Sequence, residues 1–280
     1  MHRLDLPEVG DLESCPEWLR SSMRGFLQVM FDRLGTYDGA APVIAELLDQ
    51  AGDDRIVDLA SGAGGPWPRL WRKLSDAGVE TRVMLTDLSP DRHRGIRLAA
   101  ASGVTYHPAP VSALAVPEHL PGMRTMFTAL HHFDRDEVRS ILLAAQRDGV
   151  SFAAFEATRR SWHGLLAAAA VPLLVLLLMP AVMPRRPLPL LLTYLLPVLP
   201  LLIGWDGLAS MLRSHRETEL REIVAEIGTS GYEWDVGRIA VAGWPMLSVQ
   251  YVAGRPGTTR AVREASRATG SDAHVRSTSV

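Results

Sequence analysis

The chain has 280 residues, 47% hydrophobic and 21% charged, with 29 basic against 31 acidic side chains. That length supports one large domain or a domain with an appendage, and the near-neutral charge gives no general attraction for a phosphate backbone, so nucleic acid is not an expected partner. The single cysteine, Cys15, excludes a disulfide within the chain, a CxxC redox pair and a multi-cysteine zinc site; the only lysine, Lys73, lies in a polar helical stretch unsuited to Schiff-base chemistry, and no residue is assigned to a metal.

Residues 1–20 are acidic and lack the basic head and apolar run of a secretory signal, so the catalytic domain is expected in the cytoplasm. Over 16–51, Leu19, Met23, Phe26, Leu27, Met30 and Leu34, then Ile44, Leu47 and Leu48, recur at helical spacing and predict two helices, so residues 1–51 form an N-terminal helical cap. The period changes at Arg55. Residues 55–60 read as a buried strand, stopped by Ser61-Gly-Ala-Gly-Gly-Pro66, and residues 67–77 return to a helical pattern. The unit repeats with a strand over 81–86, a turn over 87–91 and a helix over 92–101. Further strands are expected at 104–108, 125–129 and 150–155, with a helix over 135–147 before the last. Strands alternating with helices imply an α/β fold with a doubly wound, mostly parallel sheet.

The alternation stops after the fifth strand. Residues 164–184 carry no charge over 21 positions, residues 187–205 carry none over 19, and Arg185 and Arg186 lie between them. These lengths match a bilayer, so residues 161–205 read as an apolar helical hairpin inserted after strand five. An amphipathic helix over 208–227 follows, and then strands over 232–241 and 246–252 joined by Ala-Gly-Trp-Pro as a terminal hairpin. The core is therefore expected over 52–160 and 206–254. Residues 255–280, with five Arg against two acids and no apolar face, read as a disordered tail.

In a doubly wound sheet, ligands bind outside the carboxyl ends of the strands near the switch point. Here the first strand's turn is Asp58-Leu-Ala-Ser-Gly62-Ala-Gly64, whose small residues admit close backbone approach. Asp87 ends the second strand, where a carboxylate can receive both hydroxyls of a ribose. Together they indicate an adenosine-type cofactor. A dinucleotide fingerprint wants a third glycine where Trp67 stands, which disfavours a nicotinamide-dependent oxidoreductase, the alternative enzyme reading.

Ile56-Val-Asp-Leu-Ala-Ser-Gly-Ala-Gly64, Leu85-Thr-Asp-Leu88 and Leu130-His-His-Phe133 resemble the class I S-adenosylmethionine-dependent methyltransferases over roughly residues 16–254. The likeness extends to a bacterial branch with a Trp-Asp-Gly motif, here Trp205-Asp-Gly207, and an apolar insertion. The resemblance implies seven strands with a reversed last strand, and S-adenosylmethionine as cofactor. It implies that Asp58, Gly62 and Gly64 surround the methionine end, that Asp87 takes the ribose, and that Leu88 flanks adenine. Ala60 departs from the glycine often found in the motif, a change expected only to narrow the turn. Ser112 occupies the region of the acid that usually follows strand three.

Methyl transfer from a sulfonium is an in-line displacement that needs alignment, exclusion of water and, for a protonated nucleophile, a base. His131 and His132, expected at the end of strand four, are the candidate bases, and Glu156, at the end of strand five, is a candidate to orient the substrate. Arg159, Arg160, Arg213 and Arg216 flank the insertion as expected for a cytoplasmic face. Asp206 is expected to cap a helix starting at Leu208 or to pair with Arg213. The resulting expectation is methyl transfer to a hydrophobic small molecule or lipid at a bilayer's cytoplasmic face, with the lipid bilayer as a partner. A non-catalytic membrane-bound binding protein is the third reading, and a soluble lid is the alternative role for the insertion.

Overall fold

The computed structural model describes residues 2–90, 104–182, 186–228 and 231–257, without the side chains of Pro245 and Met246. Its centre is a seven-stranded sheet of β1 (Arg55–Leu59), β2 (Arg82–Leu85), β3 (Val104–Tyr106), β4 (Met123–Phe127), β5 (Phe152–Glu156), β6 (Tyr232–Val241) and β7 (Trp244–Pro256). The spatial order is β3-β2-β1-β4-β5-β7-β6. β1 pairs in parallel with β2 and β4, whereas β7 runs antiparallel to both β5 and β6. This is the expected doubly wound sheet with a reversed last strand. β4 and β5 are buried at every position, as strands covered on both faces must be.

Alternation along the strands feeds two layers. Ile56, Phe127 and Phe155 pack under α2 (Ala40–Ala51) and α3 (Trp67–Asp76), while Val57, Leu59 and Met126 pack against α4 (Arg135–Arg147) on the opposite face. The start of α4 is fixed by a capping box in which Asp134 accepts from the Glu137 amide at 2.9 Å and Glu137 accepts from the Asp134 amide at 2.8 Å. The expected helix over 92–101 lies outside the described residues.

The insertion departs from a simple hairpin. It comprises α5 (Trp162–Val182), α6 (Pro187–Tyr194) and α7 (Val198–Arg213), with a 79° bend between the last two. Pro197 ends the first limb of the return, since an interior proline lacks the N–H that would continue the ladder. α7 then runs without interruption through Trp205-Asp-Gly207, and the expected helix over 208–227 is instead the end of α7 followed by α8 (Glu217–Ile227). α8 joins α4 under the sheet through Leu220 and Ile223. Gly204 and Gly207 let α5 approach, because a Cβ would lie 2.7 Å from Pro172 at the first and 3.2 Å from Val171 at the second. α1 (Glu17–Leu34) completes this unit, packing Leu19, Met23 and Phe26 against Val175, Met179 and Ile203.

α5 is long and apolar enough to cross a membrane, at 21 residues and a mean hydropathy of 2.6 over its best window. Its inner positions Ala168, Val175 and Met179 are buried, whereas Leu166, Leu173 and Leu177 face outward. The terminal hairpin turns more tightly than expected, because Trp244 pairs with Val241 across a register shift and only Ala242 and Gly243 are left in the turn. β7 also takes in Arg255 and Pro256, which the sequence reading assigned to the tail. Residues 258–280 lie outside the described residues.

Trp67 is fully buried and meets the Phe127 ring edge-on at 5.6 Å, so helix and strand are spaced by an indole where a dinucleotide fold would use glycine. Trp67→Ala is expected to destabilise the protein by about 3 to 5 kcal/mol in denaturant unfolding. A loss below about 1 kcal/mol would show that the helix is held elsewhere.

Candidate active site

The turn between β1 and α3 is built on left-handed backbone. Gly62, Gly64 and Gly65 have φ of 53°, 99° and 47°, and Ala60 has φ of 53°. A side chain there costs roughly 1 kcal/mol, so Ala60 does more than narrow the turn and carries strain that glycine would remove. The turn is tied down on all sides. The Ser61 amide donates to the Thr86 carbonyl at 2.9 Å, the Ser61 hydroxyl donates to the Asp58 carbonyl at 2.8 Å, and the Tyr106 hydroxyl donates to the Gly62 carbonyl at 2.9 Å. Asp87 braces it as well, accepting from the Gly62 amide at 2.7 Å and the Ser89 amide at 2.8 Å. Asp58 lies beneath and accepts from the Thr125 hydroxyl at 2.7 Å. Leu88 is exposed, and Ser112 stands in the loop after β3, where its hydroxyl accepts from the Leu114 amide.

A second set of groups gathers at the exits of β4 and β5. β4 ends at Phe127, and the chain passes through Thr128 at φ 50° into a short 3-10 helix, Leu130–His132. His131 and His132 therefore sit on the turn that follows the strand. The buried Tyr37 hydroxyl meets the Thr128 hydroxyl and accepts from the Ala157 amide at 3.2 Å, which ties both strand exits together. His131 Nδ1 is 3.0 Å from Glu156 Oε2, and Glu156 Oε1 accepts from the Thr158 hydroxyl at 2.8 Å.

The other side of this set comes from residues 3–12, which lie along α7. The Leu4 amide donates to the Leu212 carbonyl at 3.1 Å, and the Trp205 indole donates to the Pro7 carbonyl at 3.0 Å. Asp206 accepts from the Val9 and Gly10 amides at 2.7 and 3.0 Å. It thus caps the 3-10 turn Val9–Asp11, and neither a helix at Leu208 nor Arg213 is its partner. The strap so held brings Glu8 Oε1 to 3.2 Å from His131 Nε2, and Asp11 Oδ2 to 3.1 Å from His132 Nδ1. Arg213 reaches Asp5, Glu8 and Asp11 from behind.

The electrostatics follow from burial and pairing. Burial alone would lower the His131 pKa, but the Glu156 charge and hydrogen bond, with Glu8 opposite, push it up to about 10. Burial opposes ionisation of Glu8 and Glu156 too, yet the histidines hold both carboxyls below their ordinary range. With a carboxylate at each ring nitrogen, His131 thus sits where positive charge is favoured. The flanking arginines are also committed inward: Arg160 is buried against Glu219, and Arg213 serves the acidic strap, so these two do not line a membrane face. Arg185 lies outside the described residues.

Glu8, His131, His132 and Thr128 line a cavity of about 230 Å³. Its remaining walls are apolar and come from α1 through Met23, Phe26 and Met30, and from the insertion through Ala168, Val171 and Ile203. The insertion therefore walls the cavity on its inner side while leaving its outer side bare. Asp58, Ala60, Gly62, Gly64 and Asp87 gather beside β1 and β2, and His131, His132 and Glu156 gather beyond β4 and β5. Glu156 does not reach the cavity wall and touches it only through His131. Sequence reasoning missed Glu8 and Asp11, and set Arg213 beside Asp206 or a membrane face rather than among these acids. The available signal was the acidity of residues 1–20, which carries no periodicity to say where those acids fold.

No family description and no curated protein matches the chain. Among solved structures, it is similar to the mitomycin 7-O-methyltransferase MmcR (17% identity, TM-score 0.44, 78% of this chain and 53% of that one). It is also similar to human N-acetylserotonin methyltransferase in complex with SAM (13%, 0.44, 83% and 56%) and to LepI in complex with SAM (16%, 0.42, 71% and 42%). The chain thus spans about half the length of the solved structures it matches.

Burial pushes the Asp58 carboxyl from an ordinary 3.8 up to about 6, against the stabilising Thr125 hydrogen bond. The folded state therefore keeps this proton to higher pH than the unfolded chain, and stability falls as pH rises from about 4 to about 6. Asp58→Asn is expected to raise stability by on the order of 2 to 3 kcal/mol at about pH 7.5, with the gain shrinking as pH falls below 6. Thermal unfolding across that range measures it, and a gain that persists undiminished at low pH would assign the effect to another cause.

Proposed function

We propose that this chain is an S-adenosylmethionine-dependent methyltransferase acting on a hydrophobic small molecule or lipid at the cytoplasmic face of a membrane. One observation carries the reading: the strained glycine turn, with Asp58 beneath it and Asp87 bracing it, stands at the carboxyl ends of β1 and β2, next to an apolar cavity beyond β4 and β5. The winding of the sheet reverses between β1 and β4, the place where doubly wound folds take their ligands. A cofactor in the turn and an acceptor in the cavity would meet across that boundary.

In this reading Gly62 and Gly64 admit the methionine end, Asp58 faces its ammonium, Asp87 receives the ribose hydroxyls, and Leu88 and Ser112 flank the adenine. The reaction needs no covalent intermediate with the protein. The cavity aligns the acceptor and excludes water, and a hydroxyl or amine acceptor gives its proton to His132 on the cavity wall. The apolar lining supports a hydrophobic acceptor, while the buried Trp67 at the helix start counts against a nicotinamide cofactor. A protein that keeps the fold without turnover would bind the cofactor and transfer nothing. Incubation with labelled S-adenosylmethionine and a lipid extract, with mass analysis of labelled products, separates these readings.

Asp87→Asn is expected to weaken S-adenosylhomocysteine binding at least tenfold, because each of two charge-assisted hydrogen bonds to the ribose exceeds a neutral one by about 1 kcal/mol. Calorimetric titration checks this. Affinity within twofold of the unsubstituted protein, or tight binding of NADH, would count against the assignment.

The bare outer face of the insertion supports the membrane placement: Leu173, Leu177 and Leu201 are 60%, 66% and 66% exposed, and patches of this kind are seldom left to water. The helices lie with this face in the acyl region and their inner face on the protein. Leu173→Asn with Leu177→Asn is expected to reduce co-sedimentation with phospholipid vesicles at least fivefold, with S-adenosylhomocysteine affinity unchanged. A full chain that stays monomeric in solution without detergent would instead make the insertion a soluble lid.

A further inference from the structure

We propose that Glu8, His131 and His132 form a binding site for one divalent first-row transition ion that faces the apolar cavity. The inference goes beyond the methyl-transfer reading and rests on the cluster's own geometry.

Each of the three residues offers a ligand atom, and these atoms lie within 4.8 Å of one another. Two of them are buried and close to each other without a hydrogen bond. The His131 side chain is 2% exposed and the Glu8 side chain 11%, yet neither His131 Nε2 nor Glu8 Oε1 makes a hydrogen bond, although the atoms are only 3.2 Å apart. Such a gap, close but without a hydrogen bond, suits two ligands of one ion that takes the place of the Nε2 proton, released to solvent as the ion binds: bonds of about 2.0 to 2.1 Å in a tetrahedral site put neighbouring donor atoms about 3.3 Å apart.

The surroundings are those of a metal-binding histidine. The far ring nitrogen, Nδ1, faces Glu156 Oε2 at 3.0 Å, the carboxylate–histidine arrangement that fixes the tautomer and directs Nε2 to a metal. Asp11, 3.1 Å from His132 Nδ1, orients the second ring or adds a fourth donor. The charges also leave room for a cation: the carboxylates of Glu8, Asp11 and Glu156 surround the histidines, against the guanidinium of Arg213 beside Glu8 and Asp11 and that of Arg3, which donates to the His131 and Phe133 carbonyls. Arg213 approaches Glu8 Oε1 and Asp11 Oδ2 no closer than 3.7 Å and so leaves the carboxylates free to turn toward an ion.

Two imidazoles and a carboxylate select the class of ion. Ca²⁺ and Mg²⁺ take oxygen donors, whereas Zn²⁺, Fe²⁺ and Co²⁺ take mixed nitrogen and oxygen sets of this kind. Because all three residues line the cavity, the open coordination position would point into it. Its occupant is thereby expected to carry an oxygen donor, such as a hydroxyl, enol or carboxylate, at the end that meets the cluster.

The test uses the full, untagged chain in detergent, stripped with chelator and titrated with Co²⁺ under visible absorption. Zn²⁺ content after reloading is read by mass spectrometry. One equivalent per chain with a saturable d–d band is expected. Glu8→Gln and His132→Gln should each weaken Co²⁺ binding at least tenfold, and Glu156→Gln should weaken it without abolishing it. S-adenosylhomocysteine titration and thermal unfolding on the same samples report folding and the cofactor reading separately. Absence of stoichiometric Co²⁺ and Zn²⁺ binding by the unsubstituted chain would overturn the proposal and leave the cluster as an ion-pair network. Equal affinity in the folded Glu8→Gln and His132→Gln chains would overturn it too.

Discussion

A buried imidazole between two carboxylates organises this molecule. His131 could not be buried as a lone cation, and Glu8 and Glu156 could not be buried as lone anions, so each makes the others' burial tolerable. Because Glu8 comes from the N-terminal strap, Glu156 from the end of β5 and His131 from the turn after β4, the charge constraint is also a topological one. It closes the first residues of the chain over the far half of the sheet, a contact that hydrophobic burial does not require.

The same constraint explains why the insertion belongs to the site. α7 is apolar at its start and charged at its end, with Ile203 in the greasy packing against α1 and Arg213 among the acids. Between them Trp205 and Asp206 dock the strap, and Gly207 with Gly204 lets α5 lie close. A short motif thus meets three demands in three successive residues: an indole donor, an acceptor for two amides and no side chain at all.

The β/α alternation was legible because periodicity reports burial, and the sheet is buried in the regular manner that periodicity describes. That Asp58, Gly62, Gly64 and Asp87 lie together was legible for a related reason, since the turns after two neighbouring parallel strands emerge side by side at the same end of the sheet. What was not legible came from charge and from sequence-distant contact. Glu8 and Asp11 stand in a segment with no period, and Asp206 looked like a helix cap because the helix was expected to begin after it rather than contain it. His131 and Glu156 were found as candidates, but the clamp that holds them was not, because its second jaw lies over a hundred residues earlier. Ala60 reads in sequence as a conservative neighbour of glycine, and only its φ of 53° shows the strain.

α7 is one unbroken helix of 16 residues, about 24 Å long. A rod of that kind has no joint at which its two ends could move independently. Its greasy end and the end bearing Asp206 and Arg213 therefore form a single lever, and any tilt imposed on one is carried to the other. The seating of the insertion and the alignment of the strap over the histidines are, in mechanical terms, one degree of freedom.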